Sequence, residues 1–202
     1  MIPFELYSEI NRHLLEDEKP SEYLNEAYNS PLFQERPFNM LYELRKTEQS
    51  PQHHPEGNVW NHTILVTDEA ARLKFKSKNQ AVLMWAALLH DIGKPAATKV
   101  RKGRITAYDH DKVGAELAKV FLRTFSEDGK FTEAVSMLIR YHMQILFVVK
   151  DLPFADIEGL TLNTDIKELA LLGLCNRIGR QGADRAREEK NVDLFLRKCL
   201  RS

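Results

Sequence analysis

His90 and Asp91 stand side by side behind an uncharged apolar run, Ala81 to Leu89, and are followed by Ile92-Gly93-Lys94-Pro95. An imidazole and a carboxylate at the inner end of an apolar helix are costly to bury unless each finds a hydrogen bond or a shared cation. A divalent metal accepts both ligand types. Taken alone, such a pair is more often a hydrogen-bonded structural pair. The other histidines tilt the balance: His62, His110 and His142 each fall near the end of an expected helix or on its apolar side. Phe131, Val135 and Leu138 place His142 on an inward stripe, and Gly114-Ala115, one turn after His110, leave nothing bulky over that ring. On a later helix, Leu169, Leu172 and Asn176 share a face, which sets a polar amide among apolar side chains. Four histidines, Asp91 and Asn176 converging from five helices call for an ion.

These side chains need helices to position them. The 81–89 run is rich in helix formers and predicts a helix buried on nearly every side, with Gly93 and Pro95 stopping it and holding Lys94 beside the pair. Hydrophobic spacing predicts further helices over about 59–74, 109–125, 130–142, 165–180 and 183–200. Residues 96–108 read as a basic loop or a short hairpin around Lys102-Gly103, and no other strand pair stands out. Before residue 50, short helices open at Pro3, at Pro20-Ser21 and at Ser30-Pro31, the last with Ser30 as cap, and another covers about 39–46. The fold class is therefore all-α, with residues 1–50 an accessory helical layer packed on the same domain and residues 51–202 carrying the site.

Composition bounds the class of function. Of 202 residues, 43% are apolar and 29% charged, enough for one large domain with a solvated surface. Lys+Arg and Asp+Glu both total 29, so no bulk field draws the chain to nucleic acid or to a membrane. No apolar segment is long enough to cross a bilayer. Met1-Ile2-Pro3-Phe4-Glu5 does not read as a signal peptide, and two cysteines, Cys175 and Cys199, do not make a disulfide framework. A reduced, cytoplasmic protein is expected.

Combinations of motifs carry a resemblance. His62, His90-Asp91 and a late polar residue on a C-terminal helix resemble the HD superfamily of metal-dependent phosphohydrolases. Within it, the segments from His53 to Thr63, Leu88 to Pro95, and His110 to Ala115 resemble the HD domain of bacterial CCA-adding enzymes (tRNA nucleotidyltransferases). Asn176-Arg177-Ile178-Gly179-Arg180 is similar to that family's Asp-x-x-Gly-Arg. The resemblance covers about residues 50–182 and implies an HD-domain helical fold. It also implies one or two divalent ions (Mn, Ni, Co, Fe or Mg). His62, His90, Asp91 and Asn176 would hold one ion; His110 and His142 would hold a second, with Asp91 bridging.

The implied chemistry is metal-assisted hydrolysis of a nucleotide or RNA-end phosphoester, 2′,3′-cyclic phosphate and 2′-phosphate included. Asp91 and Lys94 are the expected catalytic residues. Lys94, Arg177, Arg180 and His54 are the candidate substrate contacts, although for the two arginines surface salt bridges are an equal alternative. Glu56 reads as complementing the helix dipole, and Asp109 or Asp111 as a helix cap or spare ligand. Two departures stand out. The sequence lacks the nucleotidyltransferase head, so no nucleotide addition is expected, and Asn176 stands where the family has Asp. The second departure keeps an alternative open: an HD fold weakened in turnover that binds a nucleotide or RNA as a regulatory module. The sequence leaves the oligomeric state open.

Overall fold

The computed structural model describes residues 2–126 and 128–200. Helices α1 (Pro3–Glu16) and α2 (Pro20–Tyr28) come first, then a 3-10 turn at Pro31–Gln34, the short α3 (Asn39–Tyr42) and a second 3-10 turn at Glu43–Lys46. The central pair α4 (Val59–Leu73) and α5 (Gln80–Leu89) leads to the one-turn α6 (Lys94–Ala97) and a hairpin, β1 (Thr98–Arg101) and β2 (Arg104–Ala107). The chain continues through α7 (His110–Arg123), α8 (Gly129–Tyr141), α9 (Gln144–Val149), α10 (Ile157–Asn163), α11 (Ile166–Ile178) and α12 (Arg185–Cys199). The all-α class holds.

Of the two readings of residues 96–108 the hairpin holds, and two other local expectations need adjustment. Residues 98–107 form the hairpin: Thr98 pairs with Ala107 and Arg101 with Arg104 across a two-residue turn. Lys102 and Gly103 both have positive φ, 49° and 72°, the handedness that matches a twisted two-residue turn. Pro95 does more than stop α5, because it sits in the first turn of α6, where its missing N–H costs nothing. Ser30 occupies a cap position but its side chain makes no cap hydrogen bond, and it opens a 3-10 turn instead of an α-helix.

Side-chain caps start most of the longer helices. Asn58, Asn79, Asp128, Asp165 and Asp184 accept hydrogen bonds from the first free backbone N–H groups of α4, α5, α8, α11 and α12. Every residue from Val82 to Leu89 is buried, as expected for an uncharged helix at the centre.

The N-terminal helices share one core with the rest. Trp60 and Trp85 are fully buried, and each indole N–H needs an acceptor inside. Asn25 of α2 supplies one at 3.0 Å and Asn11 of α1 the other at 2.9 Å. Ser21 donates its backbone N–H and its hydroxyl to Asp68 on α4, and the Lys74 ammonium donates to the carbonyls of Leu14 and Asp17. The N-terminal helices therefore supply the acceptors for the two buried indoles of α4 and α5 and the donors for Asp68.

Candidate metal centre

Helix ends bring the polar side chains together. His62 lies on the first full turn of α4, His90 comes just past α5 with Asp91 directly after it, His110 opens α7, and His142 closes α8. Asn176 sits near the end of α11. All six are buried. The turn that carries Asp91 is locked to α7 by an approach only glycine allows. A Cβ on Gly93 would lie 2.2 Å from the His110 carbonyl oxygen and 2.5 Å from the Gly114 nitrogen. Gly93 thus lets the two backbones touch, whereas a Cβ on Gly114 would come no closer than 3.3 Å, to Ile139 Cγ2.

Asp91 is the hub. Its Oδ2 lies 3.2 Å from His90 Nε2 and 4.0 Å from His62 Nε2. Its Oδ1 lies 3.4 Å from His110 Nε2 and 3.9 Å from His142 Nε2. The two oxygens face two different groups of imidazoles, His62 with His90 and His110 with His142, and each group closes with Asp91 into a set of three ligand atoms within 4.8 Å of one another.

Hydrogen bonds on the far ring nitrogens set which nitrogen faces inward. Nδ1 of His90, His110 and His142 lies 2.8, 2.6 and 2.7 Å from the carbonyl three residues upstream, that of Ala87, Ala107 and Ile139. A carbonyl only accepts, so each Nδ1 carries the proton and each neutral ring aims an Nε2 lone pair into the site. The lone pairs of His110 and His142 then meet across 3.2 Å. His90 Nε2, buried, has no hydrogen-bond partner among the described residues. On His62, Nδ1 lies 2.8 Å from Glu56 Oε1, out of line for a straight hydrogen bond, and Nε2 lies 3.0 Å from Asn176 Oδ1. With its proton toward the carboxylate, His62 sets two acceptors face to face. Turning the Asn176 amide over would supply an N–H, but it would aim a donor where the other groups converge as acceptors. Inward lone pairs without protons are what a cation satisfies, and the imidazole-carboxylate donor set fits a divalent transition metal.

The electrostatics agree. Burial pushes His62 down to about 3, and it lowers His110 and, further, His142, where the neighbouring His110 and His90 add to the effect. Burial would raise the Asp91 carboxyl, but His90 and Lys94 beside it hold it well below the usual carboxylate range. His62, His110 and His142 are thus held toward their neutral forms beside a carboxylate anion, the protonation state that ligates.

The candidate substrate contacts divide. A cleft of about 810 Å³ opens over the site and is lined by His54, Lys94 and Arg180 among others. Lys94 Nζ lies 2.7 Å from Asp91 Oδ2 and donates to Gln49 Oε1. Arg180 reaches the cleft with its Nε buried and without a partner among the described residues, and burial lowers its pKa. Arg177 instead pairs with Glu188 at the start of α12 and is absent from the cleft lining. Asp109 pairs with Lys112, and Asp111 with Arg140; neither joins the ligand atoms.

Glu56 is the residue whose role its position in the chain conceals. Its side chain is 3% exposed, and Oε1 touches both His62 Nδ1 and His54 Nδ1, the latter at 2.9 Å. It orients a ligand and a cleft residue together, more than a helix-dipole partner does. The signal that finds it is the need of every buried ligating histidine for an acceptor on its second nitrogen.

Comparison with known proteins agrees with this geometry. The HD domain family model matches residues 59–147, which hold His62, His90, Asp91, Lys94, His110 and His142. Over 94 residues the chain is 47% identical to a multifunctional CCA protein of Actinobacillus pleuropneumoniae serotype 5b, covering 46% of this chain and 22% of that protein. It is 26% identical over 147 residues to the multifunctional CCA protein of Alkalilimnicola ehrlichii, covering 71% of this chain and 33% of the relative. It is also 39% identical over 64 residues to an A-adding tRNA nucleotidyltransferase of Deinococcus radiodurans, covering 31% and 15%. The chain thus spans 15% to 33% of the length of these relatives. Among the described residues, no helix is long and apolar enough to cross a membrane.

Proposed function

We propose that this chain, whose residues 59–147 match the HD domain family model, is a metal-dependent phosphohydrolase acting on a nucleotide or RNA-end phosphoester, with 2′,3′-cyclic and 2′-phosphates as the first substrates to try. The observation that carries the reading is the two-sided Asp91 carboxylate, one oxygen toward His62 and His90 and the other toward His110 and His142. His62, His90, Asp91 and Asn176 would hold one divalent ion, and Asp91, His110 and His142 a second. Ions held there would acidify a bound water to a pKa of about 7 and would neutralise charge on phosphoryl oxygens.

The chain's own residues do the rest. Lys94 is an ammonium held at the inner wall by Asp91 and Gln49. Its ammonium would be the group on this wall that meets a phosphoryl oxygen. Arg180 brings a half-buried guanidinium whose unpartnered Nε–H needs an acceptor, and a phosphate oxygen is a strong one. His54, fixed through Nδ1 by Glu56, lines the same cleft.

Asn176 favours a second reading, a module that binds nucleotide or RNA without turnover, because an amide brings no charge to the metal. The deciding experiment measures metal content of the purified protein. It then measures hydrolysis of bis-p-nitrophenyl phosphate and of a panel of 2′-, 3′- and 2′,3′-cyclic nucleotides with Mn²⁺, Ni²⁺, Co²⁺ or Mg²⁺. Turnover that vanishes in Asp91→Asn supports the hydrolase. Metal loading with no turnover of any phosphoester supports the binding module.

A further inference from the structure

The cleft over Asp91 is chemically two-ended. Lys94 and Arg180 belong to the His62 side: Lys94 touches the same Asp91 oxygen that faces His62 and His90, and Arg180 comes four residues after Asn176. The other end is attached to the second imidazole pair through short sequence links. Tyr108 lies two residues before His110, and Phe147 five residues after His142. The cations on this side, Lys112 and Arg140, are already paired with Asp109 and Asp111.

Two aromatic side chains stand out here. Tyr108 is 81% exposed and Phe154 66%, yet both line the cleft. A single exposed aromatic on a surface needs no explanation; two at one cleft mouth, from separate segments, do. The backbone beside each has a defined bend. Asp109, directly after Tyr108, takes a left-handed conformation, φ 58°, between β2 and α7. Asp151 does the same, φ 50°, where the segment carrying Phe154 leaves α9. That segment is pinned by Gln144, a buried amide that accepts from the Asp156 N–H at 2.8 Å and donates to the Phe154 carbonyl at 3.2 Å. The Phe154 ring meets Phe147 edge to face, centroids 5.7 Å apart. An ordered aromatic surface left in water at the mouth of a phosphate-neutralising cleft has a flat π-face as its natural occupant.

We propose that Tyr108, Phe147 and Phe154 form a stacking subsite for the base of the nucleotide whose phosphoester lies over Asp91. The proposal rests on the phosphoester-hydrolase reading and narrows its substrate class to compounds with a heterocyclic base beside the phosphate. Stacking tolerates any base, since every base has a π-face, so the subsite selects nucleotides over sugar phosphates without reading sequence.

The test compares a nucleoside 2′,3′-cyclic phosphate with the ribose 2′,3′-cyclic phosphate that lacks the base. The proteins are wild type, Tyr108→Ala/Phe154→Ala and Tyr108→Phe/Phe154→Tyr. Both side chains are mostly exposed, so the variants keep the core. Wild type is expected to favour the nucleotide by about 10- to 100-fold in KM. The preference should collapse in the alanine variant and return in the aromatic one. A second arm reads binding without turnover: a 2-aminopurine nucleotide should lose fluorescence on wild type and the aromatic variant, and keep it on the alanine variant. Equal KM for the two substrates in wild type, or a preference that survives the alanine variant, overturns the proposal. If neither substrate turns over, the hydrolase reading fails and the fluorescence arm decides alone. Quenching that depends on the aromatic rings then keeps the subsite, and its absence removes it.

Discussion

Glu56→Gln isolates what a carboxylate behind a ligand contributes. Glu56 Oε1 lies 2.8 Å from His62 Nδ1, and Oε2 lies 3.4 Å from the Gln181 N–H, so the side chain is anchored at both ends. Burial would raise its carboxyl, yet the contacts from His54 and His62 hold it below the usual range, and it stays an anion. As an anion it keeps the His62 proton on Nδ1 and makes Nε2 the more basic ligand. Glutamine keeps the shape and loses the charge, and it can present its NH₂ to Nδ1, which favours the wrong tautomer. Removing such a partner typically lowers metal affinity about 10- to 100-fold, or roughly 1.4–2.7 kcal/mol. The assay is competition against a chromophoric chelator at pH 7.5, read for stoichiometry as well as affinity. The loss should fall on one binding event, because His110 and His142 take their own Nδ1 contacts from Ala107 and Ile139. His54→Ala is the control, since it leaves the His62–Glu56 contact in place. Unchanged affinity and stoichiometry in Glu56→Gln would refute the orienting role.

Asn176→Asp should tighten metal binding, because a carboxylate adds a charge 3.0 Å from His62 Nε2; the same titration checks it, and equal affinities would remove Asn176 from the ligand set. Lys94→Ala should raise metal affinity, by removing a cation 2.7 Å from Asp91 Oδ2, while cutting the rate about 100-fold or more. Steady-state kinetics at saturating metal separates the two effects. Metal-free protein should lose thermal stability as pH falls below about 6.5. The unfolded histidines take up protons there, while buried His62 resists until about 3 and His110 and His142 are also lowered, so the unfolded state binds more protons. Melting curves from pH 7.5 to 4.5 test this, and a flat profile would contradict neutral histidines. Gly93→Ala should cost about 1–3 kcal/mol from overpacking, or about 2–4 °C of Tm per kcal/mol, because the new methyl group meets backbone atoms that cannot rotate away.

The candidate ligands are legible in the sequence because each is a polar residue near the end of an apolar helix, a placement costly enough to announce itself. The caps are less so: Ser30 stands at a cap position without a cap hydrogen bond, while Asn58, Asn79, Asp128 and Asp165 cap α4, α5, α8 and α11. The hidden features depend on paths through space. Residues 50–58 fold back so that Glu56 meets a histidine six positions later, and no periodicity encodes that. Arg177 could face the cleft or the surface; α12 decides by bringing Glu188 to it. The choice between loop and hairpin at 96–108 turns on two residues with positive φ, of which only Gly103 advertises the tendency. The amides of Asn11 and Asn25 have the look of surface polar residues until two buried indoles claim them.

The matched stretch 59–147 and the cleft are not the same object. The stretch contains the two-sided carboxylate of Asp91 and the four imidazoles around it. Gln49, His54 and Glu56 arrive from before it, and Phe154, Asn176 and Arg180 from after it. The candidate ion cradle and the mouth therefore each draw on both the stretch and its flanks: Asn176 joins the imidazoles from after the stretch, and Tyr108 and Phe147 line the mouth from within it. Grafting residues 59–147 alone would carry over Asp91 and its four imidazoles with Tyr108 and Phe147, but leave behind Asn176 beside His62, the Glu56 carboxylate behind it, and the His54, Phe154 and Arg180 share of the cleft wall.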